Sequence, residues 1–150
     1  MLVLRFEIGG QPFAMDVAYV GEVVPQAELR PLPGAPAWAP GLLHYREQVV
    51  PVVDLGALAG QTAANTAWST RILVLRAQKG RRSVGLLAER VTDVETVDAR
   101  LLRDLPVRLQ DSPWVGRVYT SAGRLVCLVE PERLLPDDVQ AALWATAEVS

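Results

Sequence analysis

The chain has 150 residues, half of them hydrophobic and 21% charged, with a net charge of −2; this is the balance of one globular domain large enough to bury a real core. Its only lysine is Lys79 and its arginines are scattered, so it lacks the basic stripe that neutralises phosphates, which argues against a nucleic-acid partner. One histidine and one cysteine exclude two-histidine metal motifs, cysteine-cluster zinc sites and an intramolecular disulfide.

At the N-terminus, Leu2 to Ile8 carries charges at Arg5 and Glu7. These interrupt the apolar run, so it is expected to be neither an export leader nor a membrane span but a first strand. Gly9-Gly10 turns it into a second strand over 11–16. Ala18 to Val24 is expected to form a single helical turn. Pro33, Pro36 and Pro40 then restrict the approach to two apolar runs, 41–45 and 49–53. The runs flank Arg46-Glu47-Gln48, which predicts a hairpin with Arg46 at its tip. Pro51 has no N–H for a ladder, so its strand is expected at a sheet edge or at a bulge.

Leu55 to Ala59 is expected to be a second helical turn, followed by a loop over 60–69. Strands are predicted over 70–77 and 82–88, joined at Lys79-Gly80, and over 114–120 and 124–129, joined at Ala122-Gly123; 98–113 reads as a loop. From Asp137 to Val149 an acidic start and apolar residues at Val139, Ala142, Leu143 and Ala147 predict a C-terminal helix packed on the rest. Short strands with glycine turns between them predict an all-β barrel or sandwich with little helix.

Chemistry is sparse. No phosphate-cradling glycine loop and no G-x-S-x-G elbow occurs in the sequence, leaving neither nucleotide cradling nor that nucleophile geometry with a motif. An enzymatic or small-molecule groove would have to be built from His44, Asp54 and a tryptophan, but no nucleophile adjoins His44. Cys127 lies mid-strand with nothing nearby in sequence to lower its pKa, the pattern of an inert buried thiol. Asp137/Asp138 and Glu130/Glu132 fit helix-start and solvated positions better than catalytic dyads. Trp38, Trp68, Trp114 and Trp144 fit core or groove packing. Such an inventory suits recognition better than turnover, and no catalytic residue, metal or cofactor is expected.

The segment from Pro36 to Leu55, P-A-W-A-P-G-L-L-H-Y-R-E-Q-V-V-P-V-V-D-L, resembles P-x-F-x-x-G-x-x-N-L-R-G-x-x-x-P-V-x-D-L. That pattern is the hallmark of the CheW-like coupling proteins, the adaptor family of bacterial chemosensory arrays. Phe6 to Asp16, Val17 to Val23, Thr70 to Leu75, Ser83 to Val94 and Gly116 to Leu135 are similar to further family elements in the same order. Three positions depart from the pattern: His44-Tyr45 stands where the family has Asn-Leu, and Glu47 where it has Gly.

The resemblance implies one domain over 1–150, made of two SH3-like five-stranded barrels on a shared core. One would centre on 15–68 and the other combine 1–14 with 70–135. It also implies a non-enzymatic adaptor in the cytoplasm, held in arrays at the inner face of the membrane without inserting into it. Its partners would be the helical hairpin tip of a chemoreceptor and the regulatory domain of a CheA-like histidine kinase. Carried over by motif position, Val20, Glu22, Gly41, Arg46 and Val50 would face the receptor and Leu29 the kinase. Val50 has an alternative place in the core, since strand side chains alternate faces. The departures His44, Tyr45 and Glu47 would alter partner choice, as in a pathway other than flagellar chemotaxis such as surface sensing.

Overall fold

A computed structural model describes residues 1–25, 27–58, 70–77, 82–107 and 112–134. The strands are β1 (Leu2–Ile8), β2 (Gln11–Asp16), β3 (Val20–Pro25), β4 (Gly41–Tyr45), β5 (Gln48–Asp54), β6 (Arg71–Leu75), β7 (Gly85–Ala88), β8 (Val94–Thr96), β9 (Val115–Ser121) and β10 (Arg124–Val129). The one α-helix among the described residues, α1 (Leu55–Leu58), is a single turn, and 3-10 turns stand at Val17–Tyr19, Ala99–Leu101 and Pro131–Arg133. The expected C-terminal helix over 137–149, Trp68, Trp144 and the turn at Lys79-Gly80 lie outside the described residues.

Two five-stranded sheets result: a central one ordered β3-β6-β7-β5-β4 and a flanking one ordered β8-β1-β2-β10-β9. Their pairings run in the same sequence. From one edge to the other each has two antiparallel pairs, one parallel pair (β7 with β5, β2 with β10) and a final antiparallel hairpin. Each sheet also curls until its edges meet. Past β3, Arg30 exchanges two 2.9 Å backbone hydrogen bonds with Leu42 of β4; past β8, Arg103 exchanges bonds of 2.9 and 2.8 Å with Val118 of β9. Closing a sheet this way removes the unpaired edges that would otherwise recruit other chains.

The strands divide differently from the expected 15–68 against 1–14 plus 70–135, because β6 and β7 join β3, β4 and β5 in the central sheet. The expected helical turn over 18–24 is also corrected. Only Val17–Tyr19 turns, capped by Asp16, whose carboxylate accepts the Ala18 N–H at 2.9 Å, and the rest is β3. Leu55 to Leu58 does form the expected turn, with the Asp54 carboxylate accepting the Ala57 N–H at 3.2 Å. Residues 94–96, outside the predicted strands and loop, make the short edge strand β8.

Pro51 sits on neither an edge strand nor a bulge. β5 lies between β4 and β7, but β7 pairs with it only from Val52 onward. Opposite Pro51, Leu42 turns its N–H and C=O away from β5 toward Arg30. Pro51 is therefore at a non-bonded position of the β4–β5 ladder, and its missing N–H costs that ladder nothing.

Alternation of the side chains builds three apolar clusters. Leu43, Val50, Val52, Ile72 and Val74 fill the central barrel, and Val3, Ala14, Val97, Leu102, Tyr119, Val126 and Leu128 fill the flanking one. The opposite faces meet in a shared core that includes Phe6, Met15, Val53, Leu73, Leu86 and Trp114. Trp114 is almost fully buried and tilts against Phe13 with ring centroids 6.1 Å apart. At roughly 1.5–3 kcal/mol per buried large apolar side chain, these clusters supply the main drive to fold, and the shared one welds the two barrels.

Candidate functional site

The site forms where β3 and the β4–β5 hairpin meet at the mouth of the central barrel. Glu22 projects from β3, and Arg46 stands in the hairpin turn; Arg46 Nη2 donates to Glu22 Oε1 at 3.1 Å. The Arg46 Cζ lies 5.4 Å from the centroid of the Tyr45 ring, within cation–π range. The Tyr45 hydroxyl, first, and then the Arg46 charge hold the Glu22 carboxyl below its ordinary range; the Glu22 carboxylate in turn pushes the Tyr45 phenol up. Guanidinium, phenol and carboxylate thus meet at the surface, with Arg46 exposed, Glu22 half-buried and Tyr45 half-buried against the central cluster.

The turn that carries Arg46 has only two residues, because Tyr45 pairs directly with Gln48. Both take positive φ, 46° at Arg46 and 63° at Glu47, as two-residue hairpins with the right twist require. Two other hairpins share this form but place glycine in it, at Gly9-Gly10 and Ala122-Gly123. The Arg46-Glu47 turn does without, and so holds two L-residues in a conformation that costs each on the order of 1 kcal/mol. With Glu47 rather than glycine at its second position, the two-residue turn is strained.

Val20 and Glu22 end up on opposite faces of the sheet. An extra residue at Gly21 shifts the register so that Val20 pairs with Leu75 and Glu22 with Val74. Val20 therefore packs on the shared core while Glu22 looks across the barrel mouth. Such a bulge re-aims a side chain at the end of a strand.

Two of the expected partner-facing residues are corrected by their burial. Val50 is 1% exposed inside the central barrel, whereas Val49, 56% exposed, takes the outward position. Gly41 is buried as well, and a Cβ there would lie 2.6 Å from the Arg30 carbonyl oxygen. The backbone that Gly41 admits is that of its own chain. Leu29 is half-buried beside Gly41, packed on the central barrel cluster. His44 and Glu47 are exposed, with His44 paired across the hairpin to Val49.

His44 and Asp54 do not share a groove. Val49, opposite His44, is five strand residues from Asp54, roughly 16 Å at 3.3 Å per residue. Asp54 is also buried, capping α1. Burial pushes the Cys127 thiol up, which keeps it protonated and unreactive. Among the described residues, no group of three or more histidine, cysteine or acidic side chains is arranged to hold a metal, and no helix is long and apolar enough to cross a membrane.

Reading the sequence missed two features of the site. Tyr45 is part of the Glu22–Arg46 cluster, a position that strand alternation from Leu43 would have indicated. Glu22 reaches the hairpin only because of the Gly21 bulge, for which a glycine inside a strand was the available signal.

Known proteins share this chain's family pattern and fold. The family model described as the CheW-like domain matches residues 2–139. A chemotaxis protein CheW of Rhizobium meliloti (strain 1021) is 32% identical over 142 residues, covering 93% of this chain and 90% of that protein. A probable chemotaxis protein CheW of Rhizobium etli is 28% identical over 137 residues, covering 90% and 87%. The crystal structure of the scaffolding protein TtCheW from Thermoanaerobacter tengcongensis superposes with a TM-score of 0.80 at 19% identity, covering 90% of this chain and 87% of that one. With the family pattern running through both sheets, the chain belongs to the CheW-like domain family.

Proposed function

We propose that the protein is a non-enzymatic adaptor that couples chemoreceptors to a CheA-like histidine kinase in a chemosensory array at the cytoplasmic face of the membrane. The observation that carries this reading is the Arg46–Glu22 pair, which puts the arginine of the family motif at an exposed tip where a partner carboxylate can take the place of Glu22. Val23, next to Glu22 on β3, and Val49 on β5 are exposed apolar side chains, and apolar contacts of that kind, with charges choosing the orientation, are how a surface receives an amphipathic helix. In this reading Glu22 and Arg46 meet the receptor's helical hairpin, with Val20 supporting β3 from beneath. Half-buried Leu29, on the segment leading into β4, meets the regulatory domain of the kinase. The departures at His44, Tyr45 and Glu47 fall on the receptor side and adapt the protein to a pathway other than flagellar chemotaxis.

The test is titration of the purified protein against a chemoreceptor cytoplasmic hairpin and, separately, a kinase regulatory domain. Arg46→Ala is expected to weaken the first and leave the second unchanged, and Leu29→Gln the reverse, with thermal melts to confirm folding. Wild-type protein that binds neither partner would overturn the adaptor reading.

A further inference from the structure

The two sheets share a pairing order, and each has a glutamate on one edge strand that reaches across to a tyrosine beside the opposite edge. In the flanking sheet, Glu95 of β8 accepts from Tyr119 of β9 at 2.9 Å and from Arg5 at 3.1 Å. In the central sheet, Glu22 of β3 accepts from Arg46 at 3.1 Å, with Tyr45 of β4 against both. The chemistry is alike but the setting is not. The Arg5 and Glu95 side chains are 24% and 29% exposed, those of Arg46 and Glu22 73% and 36%. The first cluster is locked into a barrel wall, while the second hangs on a turn whose two residues both hold positive φ.

We infer that Tyr45 is a positioning residue that latches Arg46 onto Glu22, so that a partner gains the guanidinium only by offering a carboxylate that displaces Glu22. The ring supports one side of the guanidinium while Glu22 holds another at 3.1 Å, and the Tyr45 hydroxyl lowers the Glu22 carboxyl further. Exposed ion pairs are weakly held, so a well-placed acidic side chain at a helical hairpin tip can exchange with Glu22, whereas a neutral amide cannot. Tyr45 thereby raises the threshold for binding and selects acidic tips. This rests on the adaptor reading for the identity of the partner, but the latch itself does not.

Two measurements separate the parts. The first needs no partner: rotation of the Arg46 guanidinium about its Nε–Cζ bond, followed by nitrogen NMR, is expected to be slow in the wild-type protein and faster in Tyr45→Leu. Tyr45→Phe, which keeps the ring, is expected to stay near wild type while the Glu22 carboxyl titrates higher. Unchanged rotation in Tyr45→Leu would overturn the latch whatever the protein binds. The second uses a chemoreceptor cytoplasmic hairpin and the same hairpin with its acidic tip residues changed to amides. Tyr45→Leu is expected to tighten binding of the acidic hairpin by about two- to fivefold, the reach of one exposed cation–π contact, and to leave the amide hairpin unchanged. An equal change in both would make Tyr45 ordinary contact surface and overturn its selecting role. Absence of any wild-type binding would overturn the adaptor reading and the proposed selection of partners, leaving the NMR result to decide the latch.

Discussion

Tyr119 on β9 donates a 2.9 Å hydrogen bond to Glu95 on β8, joining through side chains the two outermost strands of the flanking sheet. Ser121 and Arg5 donate to the same carboxylate, so one acid ties β8 to β9 and to β1. Backbone bridging at Arg103 and Val118 closes the same seam. The barrel is therefore shut by polar contacts that a short three-residue edge strand could not supply from its backbone alone.

Glu95→Gln is expected to destabilise the fold by about 1–3 kcal/mol, because Arg5 and Tyr119 lose a charged acceptor in a half-buried site. Hydrogen bonds from Ser121, first, and then Tyr119, together with Arg5, hold the Glu95 carboxyl below its ordinary value of 4.5. The unfolded chain binds that proton more readily, so this contribution is complete above the unfolded value and is lost as pH falls through the depressed one. Chemical denaturation across that acid window should show a shallower pH dependence in Glu95→Gln than in wild type. An identical slope would remove Glu95 from the acid response.

Gly41→Ala is expected to open the other seam. Its Cβ would meet backbone, the Arg30 carbonyl at 2.6 Å, and neither segment can yield without breaking the Arg30–Leu42 bonds. A loss of about 1–3 kcal/mol is expected, as for other overpacked positions. Gly34→Ala is the comparison: it also has positive φ but nothing within 4 Å, so it should cost less. Equal melting temperatures for the two variants would show that space at Gly41 is not limiting.

Glu47→Gly should stabilise. Glycine adopts the 63° φ without the Cβ penalty, and the gain outweighs the added freedom of the unfolded chain by roughly 0.5 kcal/mol. A higher melting temperature than wild type is the expected result, and a lower one would mean that Glu47 makes contacts worth more than the strain.

Much of the strand pattern was legible because β-branched runs and paired turn residues mark hairpins locally. β3 was read as a helical turn because Gly21 and its bulge interrupt the alternation that identifies a strand. β8 is three residues, V-E-T, too short to show a period. The grouping of β6 and β7 with the central sheet depends on pairings between distant segments, and the Glu95 cluster joins residues 5, 95, 119 and 121. No local signal carries either. At the site, the motif position of Arg46 was readable from the resemblance, whereas its partnership with Tyr45 depends on the register of β4.

The valines of β5 show how much rests on that register. Reading Arg46-Glu47-Gln48 as the turn leaves open which of Val49 and Val50 points inward, because a shift of one residue exchanges the faces of a strand. The two-residue turn settles it: Gln48 pairs with Tyr45, Val50 enters the barrel at 1% exposure and Val49 stays outside at 56%. Val50→Asp is therefore expected to abolish cooperative folding, since an unpaired carboxylate in an apolar cluster costs several kcal/mol against a total stability of about 5–15 kcal/mol. Val49→Asp should stay within about 0.5 kcal/mol of wild type, as surface substitutions do. Thermal melts of the two variants decide between the faces. A folded Val50→Asp with an unfolded Val49→Asp would reverse the hairpin's register and with it the side of the barrel on which Tyr45 meets Arg46.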